Sequence, residues 1–198
     1  MRTSLVSLRN AVVCALWLSC CGYASAQNVV VNPDFDIDVS SWIPNGATVG
    51  FDSAQNIVGT PGSGSILVTN NIGNGATVSV RQCIDVPLSV GTYDFGGWIL
   101  FPTGQVGTGS AGIAVSFYPA ANCGGISLAF LNVPIIAANT WSLQTATLAA
   151  PPGVLSAAVA LRIDMPMGSA APLDAWFDGV RLGPAPTLPV ELQSFEVD

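Results

Sequence analysis

Apolar residues in this chain recur at every second position, in short runs that Gly, Pro and Asn cut off. Gly91–Phe101 puts Tyr93, Phe95, Ile99 and Phe101 on one side and Asp94, Trp98 and Leu100 on the other. In Gly112–Tyr118, Ile113, Val115 and Phe117 likewise oppose Ser116 and Tyr118. Such alternation builds strands with one buried face, because successive strand side chains point to opposite sides. Even the Ala-rich Ser156–Ile163 alternates, with Ala157, Val159, Leu161 and Ile163 against Ser156, Ala158, Ala160 and Arg162. Strands are expected at Asn28–Val31, Ala47–Phe51, Ser65–Thr69, Ala76–Val86, Gly91–Phe101, Gly112–Tyr118, Ile126–Val133, Thr140–Leu148, Ser156–Met165 and Asp174–Leu182. The segment Asn-Gly-Ala-Thr-Val occurs twice, at Asn45–Val49 and Asn74–Val78. Asn-Gly tolerates the positive φ of tight turns, so each copy reads as a turn leading into a strand. The pattern as a whole is that of an antiparallel sandwich or barrel.

Residues 1–26 are set apart from this pattern. A basic start, an apolar stretch from Ala11 to Leu18 and the small-residue run Ala24-Ser25-Ala26 form a secretory signal peptide, with cleavage expected before Gln27. Its apolar core is too short to span a bilayer, and the later apolar runs are broken by Gly, Asn, Pro or charge. We therefore expect a secreted protein with no transmembrane segment, periplasmic or extracellular. Arg2 and Arg9 leave with the signal, so Arg81, Arg162 and Arg181 face all twelve acids of the chain. A surface so poor in cations repels phosphate backbones, which excludes nucleic acid as a partner.

Two cysteines, Cys83 and Cys123, remain beyond the signal. In an oxidising compartment they are expected to form one disulfide. A catalytic Cys–His arrangement is excluded, as are a Ser-His-Asp triad and the usual zinc sites, because the chain contains no histidine. A glycosidase-like carboxylate pair would need two acids facing one cleft, and none of the acids stands out in that way. No enzyme activity is expected.

Two short segments bracket the strands. Asn32-Pro33-Asp34-Phe35-Asp36 with Ser41-Trp42 opens the domain, and Trp176-Phe177-Asp178-Gly179-Val180-Arg181-Leu182 closes it. This pairing resembles carbohydrate-binding modules of the family 4/9 type. The resemblance implies an all-β jelly-roll β-sandwich of two antiparallel sheets, galactose-binding-like, over residues 27–183. A Pro-rich linker and short C-terminal tail, residues 184–198, would follow. The tail is similar to the Pro-Val-Glu-Leu-x-Ser-Phe segments near the C-termini of some secreted bacterial proteins. The resemblance also implies a structural Ca²⁺ where the first and last strands meet. Carried over residue by residue, its ligands are Asp36 and Asp178, with Gly179 standing where a second acid often follows.

The function so implied is reversible docking on a glycan or polysaccharide. Such a site needs flat rings for the apolar face of a sugar and fixed polar groups for its hydroxyls. By strand parity Trp98, Tyr118, Arg81 and Arg162 fall away from the apolar sides, and a face bearing all four is the expected ligand-binding site. Trp42, Trp141 and Trp176 are assigned to packing. The alternative is a structural or adhesive protein of the cell surface or extracellular space, using the sandwich as a scaffold.

Overall fold

The computed structural model describes residues 27–57, 63–85 and 91–185. The expected signal peptide and most of the expected tail lie outside the described residues.

The alternating segments all form strands. These are β1 (Ile43–Asn45), β2 (Thr48–Asp52), β3 (Ser65–Asn70), β4 (Thr77–Ile84), β5 (Gly91–Phe101), β6 (Ser110–Tyr118), β7 (Ala129–Ile135), β8 (Ala138–Ala150), β9 (Ser156–Asp164) and β10 (Leu173–Pro184). One sheet has the order β1-β4-β9-β6-β7 and the other β2-β3-β10-β5-β8, all pairs antiparallel. Most connections cross from one sheet to the other, which gives the jelly-roll sandwich. Among the described residues the helical content is a single 3₁₀ turn at Ala121–Cys123, and no helix is long and apolar enough to cross a membrane.

Both Asn-Gly copies act as turns. Gly46 (φ 76°) carries the chain from β1 in one sheet to β2 in the other, and Asn74 and Gly75 (φ 48° and 82°) lead into β4. The expected inward residues of β5, β6 and β9 are buried between the sheets: Phe95, Ile99 and Phe101 against Ile113, Phe117, Val159, Leu161 and Ile163. Tyr93 and Phe117 meet edge to face at 5.6 Å. Each such side chain contributes about 1.5–3 kcal/mol on leaving water, so this layer holds the two sheets together.

Three expectations about elements are corrected. Asn28–Val31 is not a strand, although it runs beside β10: the Val29 amide donates to the Leu182 carbonyl and Asn28 brackets Val180 and Leu182 with its side chain. On its other side a glutamine replaces a strand, so no regular ladder forms. β1 was not foreseen, since Pro44 interrupts its pattern. β10 continues to Pro184, with Ala185 donating to the Thr92 carbonyl, so the expected linker starts later than residue 184.

The bracketing segments meet. Phe35 is fully buried and packs on Trp42 at 5.5 Å, and the Trp42 indole N–H donates to the Asn32 carbonyl. β10 bulges between Asp178 and Arg181, where Gly179 takes φ 57°. The Val180 amide donates to the Pro33 carbonyl. The opening segment thus supplies the acceptor for a donor inside the bulge.

Candidate functional site

The outer face of the β1-β4-β9-β6-β7 sheet is floored by small residues. Register aligns Arg81, Ala160, Ala114 and Asn132 across four strands, and Ser79, Arg162, Gly112 and Pro134 in the next row. Cys83, Ala158, Ser116 and Phe130 form the third row, and Tyr118 stands one step beyond Ser116 on its side of β6. Side chains two residues apart on one strand lie on the same face. Arg162 rises from the central strand, Arg81, Tyr118, Phe130 and Asn132 stand toward the margins, and Gly, Ala and Ser fill positions between them.

Those margins are polar and aromatic. Phe130 is 51% exposed, and the Arg162 guanidinium carbon lies 5.6 Å from its ring centroid. Arg162 Nη2 is 2.7 Å from Asp164 Oδ1, which also accepts from the Thr77 hydroxyl at 2.6 Å. Asn132 Oδ1 and Arg162 Nε are buried without a hydrogen-bond partner in the protein. Both belong to the neighbourhood of Gly112. Arg162 is its ladder partner, and a Cβ on Gly112 would come within 2.8 Å of Asn132 Oδ1. Orphaned buried polar groups cost free energy, so a donor and an acceptor left unpaired just beneath this face gain by pairing with a ligand's hydroxyls once either side chain turns outward.

An open depression of about 500 Å³ adjoins this face, where the opening segment meets β1 and β4. Ile43 and Cys83 line it, and Ile43 is the ladder partner of Arg81. Cys83 is joined to Cys123, as expected from the cysteine count. The bridge ties β4 to the 3₁₀ turn, where Asp85 accepts the Asn122 amide at 2.6 Å.

The expected ligand residues are only partly brought together. Tyr118, Arg81 and Arg162 share the face just described, on β6, β4 and β9. Trp98 does not: it lies on β5, on the outer side of the other sheet, opposite Asp178 and Leu143. Parity places a side chain inside or outside its own sheet but cannot say which sheet that is. Trp98 instead packs beside the bulge, where a Cβ on Gly179 would come within 3.2 Å of its ring and 3.3 Å of Ile57. A side chain at position 179 would displace that packing, which accounts for glycine there in place of an acid. Trp176 is also outside the core, on the same outer side, its indole N–H donating to Asp52 Oδ2 at 2.8 Å. Trp42 is buried as expected, and Trp141 is half-buried. Phe130 and Asn132 were missed. The alternation of Phe130, Asn132 and Pro134 against Leu131, Val133 and Ile135 carried the signal.

Acids gather where the bracketing segments meet. Asp178 is buried; Oδ1 accepts the Gly179 amide at 2.7 Å and Oδ2 the Ile57 amide at 3.1 Å. Burial pushes its carboxyl up to about 6, the two amides oppose this, and the nearby charges of Asp34 and Asp36 add to it. Asp34 is also raised, mainly by burial, while Arg181 pulls it back. A positive charge nearby would oppose the rise at Asp178 and Asp34. Among the described residues no group of three or more His, Cys, Asp or Glu side chains is arranged as a metal cage. The side chains by themselves do not make a cation cage, and any ion there would need most of its ligands from backbone carbonyls.

No protein-family model and no curated protein matches the sequence. Solved structures do share the fold. A CBM22-1 xylan-binding domain from Paenibacillus barcinonensis superposes with a TM-score of 0.57 at 11% identity, over 80% of this chain and 95% of that one. A module described as TmCBM61, solved with β-1,4-galactotriose, gives 0.50 at 16% identity, over 79% and 98%. The enzymatically active domain of a tailspike protein from bacteriophage CBA120 gives 0.57 at 17% identity, over 79% of this chain but 21% of that one. The chain thus spans about a fifth of the tailspike structure and nearly all of each binding module. What these similarities establish is the fold: this chain is a β-sandwich of the kind found in carbohydrate-binding modules.

Proposed function

We propose that the protein is a secreted, non-catalytic glycan-binding protein that docks a polysaccharide reversibly across the outer face of the β1-β4-β9-β6-β7 sheet. One observation carries the reading: Tyr118, Phe130, Arg81, Arg162 and Asn132 share one continuous sheet face with a floor of Gly, Ala and Ser, Arg162 rising from its central strand. Tyr118 and Phe130 offer rings to the C–H face of a sugar, and Asn132 with the arginines offers fixed donors and acceptors. Solved modules of the same fold are described as binding xylan or β-1,4-galactotriose, which supports the reading. The lack of histidine removes the commonest general base and agrees with binding without cleavage. Trp98 is left out of the proposed site.

Binding to a panel of soluble polysaccharides by calorimetry tests this. Phe130→Ala and Tyr118→Ala are expected to weaken the best ligand roughly tenfold each, Trp98→Phe to leave it unchanged, and no new reducing ends to appear. Failure to bind any glycan would favour the scaffold reading.

We also propose a structural Ca²⁺ bound near Asp36 and Asp178, with Asp34 adding charge. Its support is the desolvated Asp178 beside two further acids. Chelation should then lower the unfolding temperature at neutral pH, and an unchanged midpoint would reject it.

A further inference from the structure

We propose that the glycan face selects sugars bearing carboxylates, so that uronic acid residues rather than neutral sugars are its preferred ligands. The proposal rests on the glycan-binding reading above and names the ligand class of the same site.

Charge distribution is the ground for it. From residue 27 on, three arginines accompany twelve acids, yet two of the three arginines stand on this one face. Arg81 lies opposite Ala160 and Arg162 opposite Ser79, so they are diagonal neighbours on β4 and β9, about 7–8 Å apart at the backbone. Arg162 is held by Asp164, and that is the one salt bridge among the described residues. Arg81 is exposed and makes none. None of the three rows holds an acid; Asp164 lies one step beyond Arg162 and the exposed Asp85 one step beyond Cys83, so the charge within the rows is that of the two arginines.

Most of the other described acids lie farther off. Asp52, Asp94 and Asp174 are on strands of the other sheet, and Asp34, Asp36 and Asp178 are at the junction of the bracketing segments. At physiological ionic strength charges are screened beyond about 8 Å, so a ligand on this face meets the arginines first. A guanidinium offers two parallel N–H donors that match the two oxygens of a carboxylate, which a neutral hydroxyl cannot reproduce. Arg162, on the central strand, is already anchored by Asp164 and the Phe130 ring, and Arg81 supplies the unneutralised charge.

The test compares polygalacturonate with the same polymer after its carboxyl groups are reduced to alcohols, and with a sulfated polysaccharide. Wild type is expected to bind polygalacturonate roughly tenfold more tightly than the reduced polymer. Arg81→Gln should collapse that ratio toward one. Arg181→Gln makes the same change in net charge at a residue away from the face and should leave the ratio intact. Equal binding of the reduced polymer, or an intact ratio in Arg81→Gln, overturns the proposal. Binding of the sulfated chain as tight as polygalacturonate also overturns it, because the face would then read charge and not carboxylate. Binding to neither form but to another neutral glycan overturns the carboxylate selection and leaves the binding reading standing. Binding to no glycan at all overturns both.

Discussion

Gln82 holds Val31 as a neighbouring strand would: its side-chain oxygen accepts the Val31 amide at 2.7 Å, and its amide nitrogen donates to the Val31 carbonyl at 2.8 Å. The glutamine points inward from β4 and is buried, so one side chain docks the opening segment onto the sandwich. Removing it leaves two backbone groups unpaired in a partly buried place. Gln82→Leu is expected to cost about 1–3 kcal/mol, or a fall of about 3–10 °C in unfolding temperature for a domain of this size. Thermal denaturation followed by circular dichroism measures it, and a shift within error would mean that the clamp is dispensable.

The Cys83–Cys123 bridge links residues 40 apart in sequence. In the chain-entropy account closing such a loop is worth about 4 kcal/mol. Replacing both cysteines by alanine should lower the midpoint by roughly 10 °C. The same loss should follow reduction of the wild-type protein, and the double variant should be insensitive to reductant.

Asp178 predicts a pH dependence of unusual sign for an acid. Its folded value is raised to about 6 from 3.8, so the folded state binds the proton more tightly than the unfolded chain. Its contribution is most favourable below pH 3.8 and is lost as pH rises through about 6. Asp178→Asn should flatten the stability profile between pH 4 and 6 relative to wild type. If a cation compensates the carboxylate, chelation should matter more at pH 7.5 than at pH 4.5. Denaturant titrations across this range read both effects, and parallel profiles for the two proteins would contradict the assignment.

Gly112 is predicted to be intolerant of even one added methyl group. Its Cβ would lie 2.8 Å from Asn132 Oδ1, 3.0 Å from the Val133 carbonyl oxygen and 3.1 Å from the Pro134 Cα. Two of these are backbone atoms of the paired strand and cannot yield cheaply. Gly112→Ala should destabilise by about 1–3 kcal/mol and weaken glycan binding by displacing Asn132. A folded variant with unchanged affinity would remove Asn132 from the site.

Alternation was enough to read most of the strands and their inward residues, and the resemblance of the bracketing segments decided for the sandwich over a barrel. That rule is local: Phe95 and Ile113 announce their burial through their immediate neighbours. The pairing of strands is not local, and there the reading reached its limit. Trp98 and Tyr118 carry the same outward signature in sequence, yet the crossover between β5 and β6 sends them to opposite sides of the molecule. Arg81 and Arg162 came out together because β4 and β9 are neighbours, which no spacing in the chain announces. Phe130 lay in plain view, but its importance depends on the guanidinium of Arg162 reaching its ring from two strands away.

β10 occupies the middle of its sheet, between β3 and β5, and its bulge also receives the opening segment. Residues 173–184 are therefore a keystone that the ribosome delivers after every other strand among the described residues. Until they emerge, β3 and β5 have unpaired edges facing each other across a gap, and Val29 and Pro33 lack their hydrogen-bond partners on β10. Closure of the sandwich thus joins distant parts of the chain, which favours slow folding and leaves the incomplete sandwich open to strand-swapping with its neighbours.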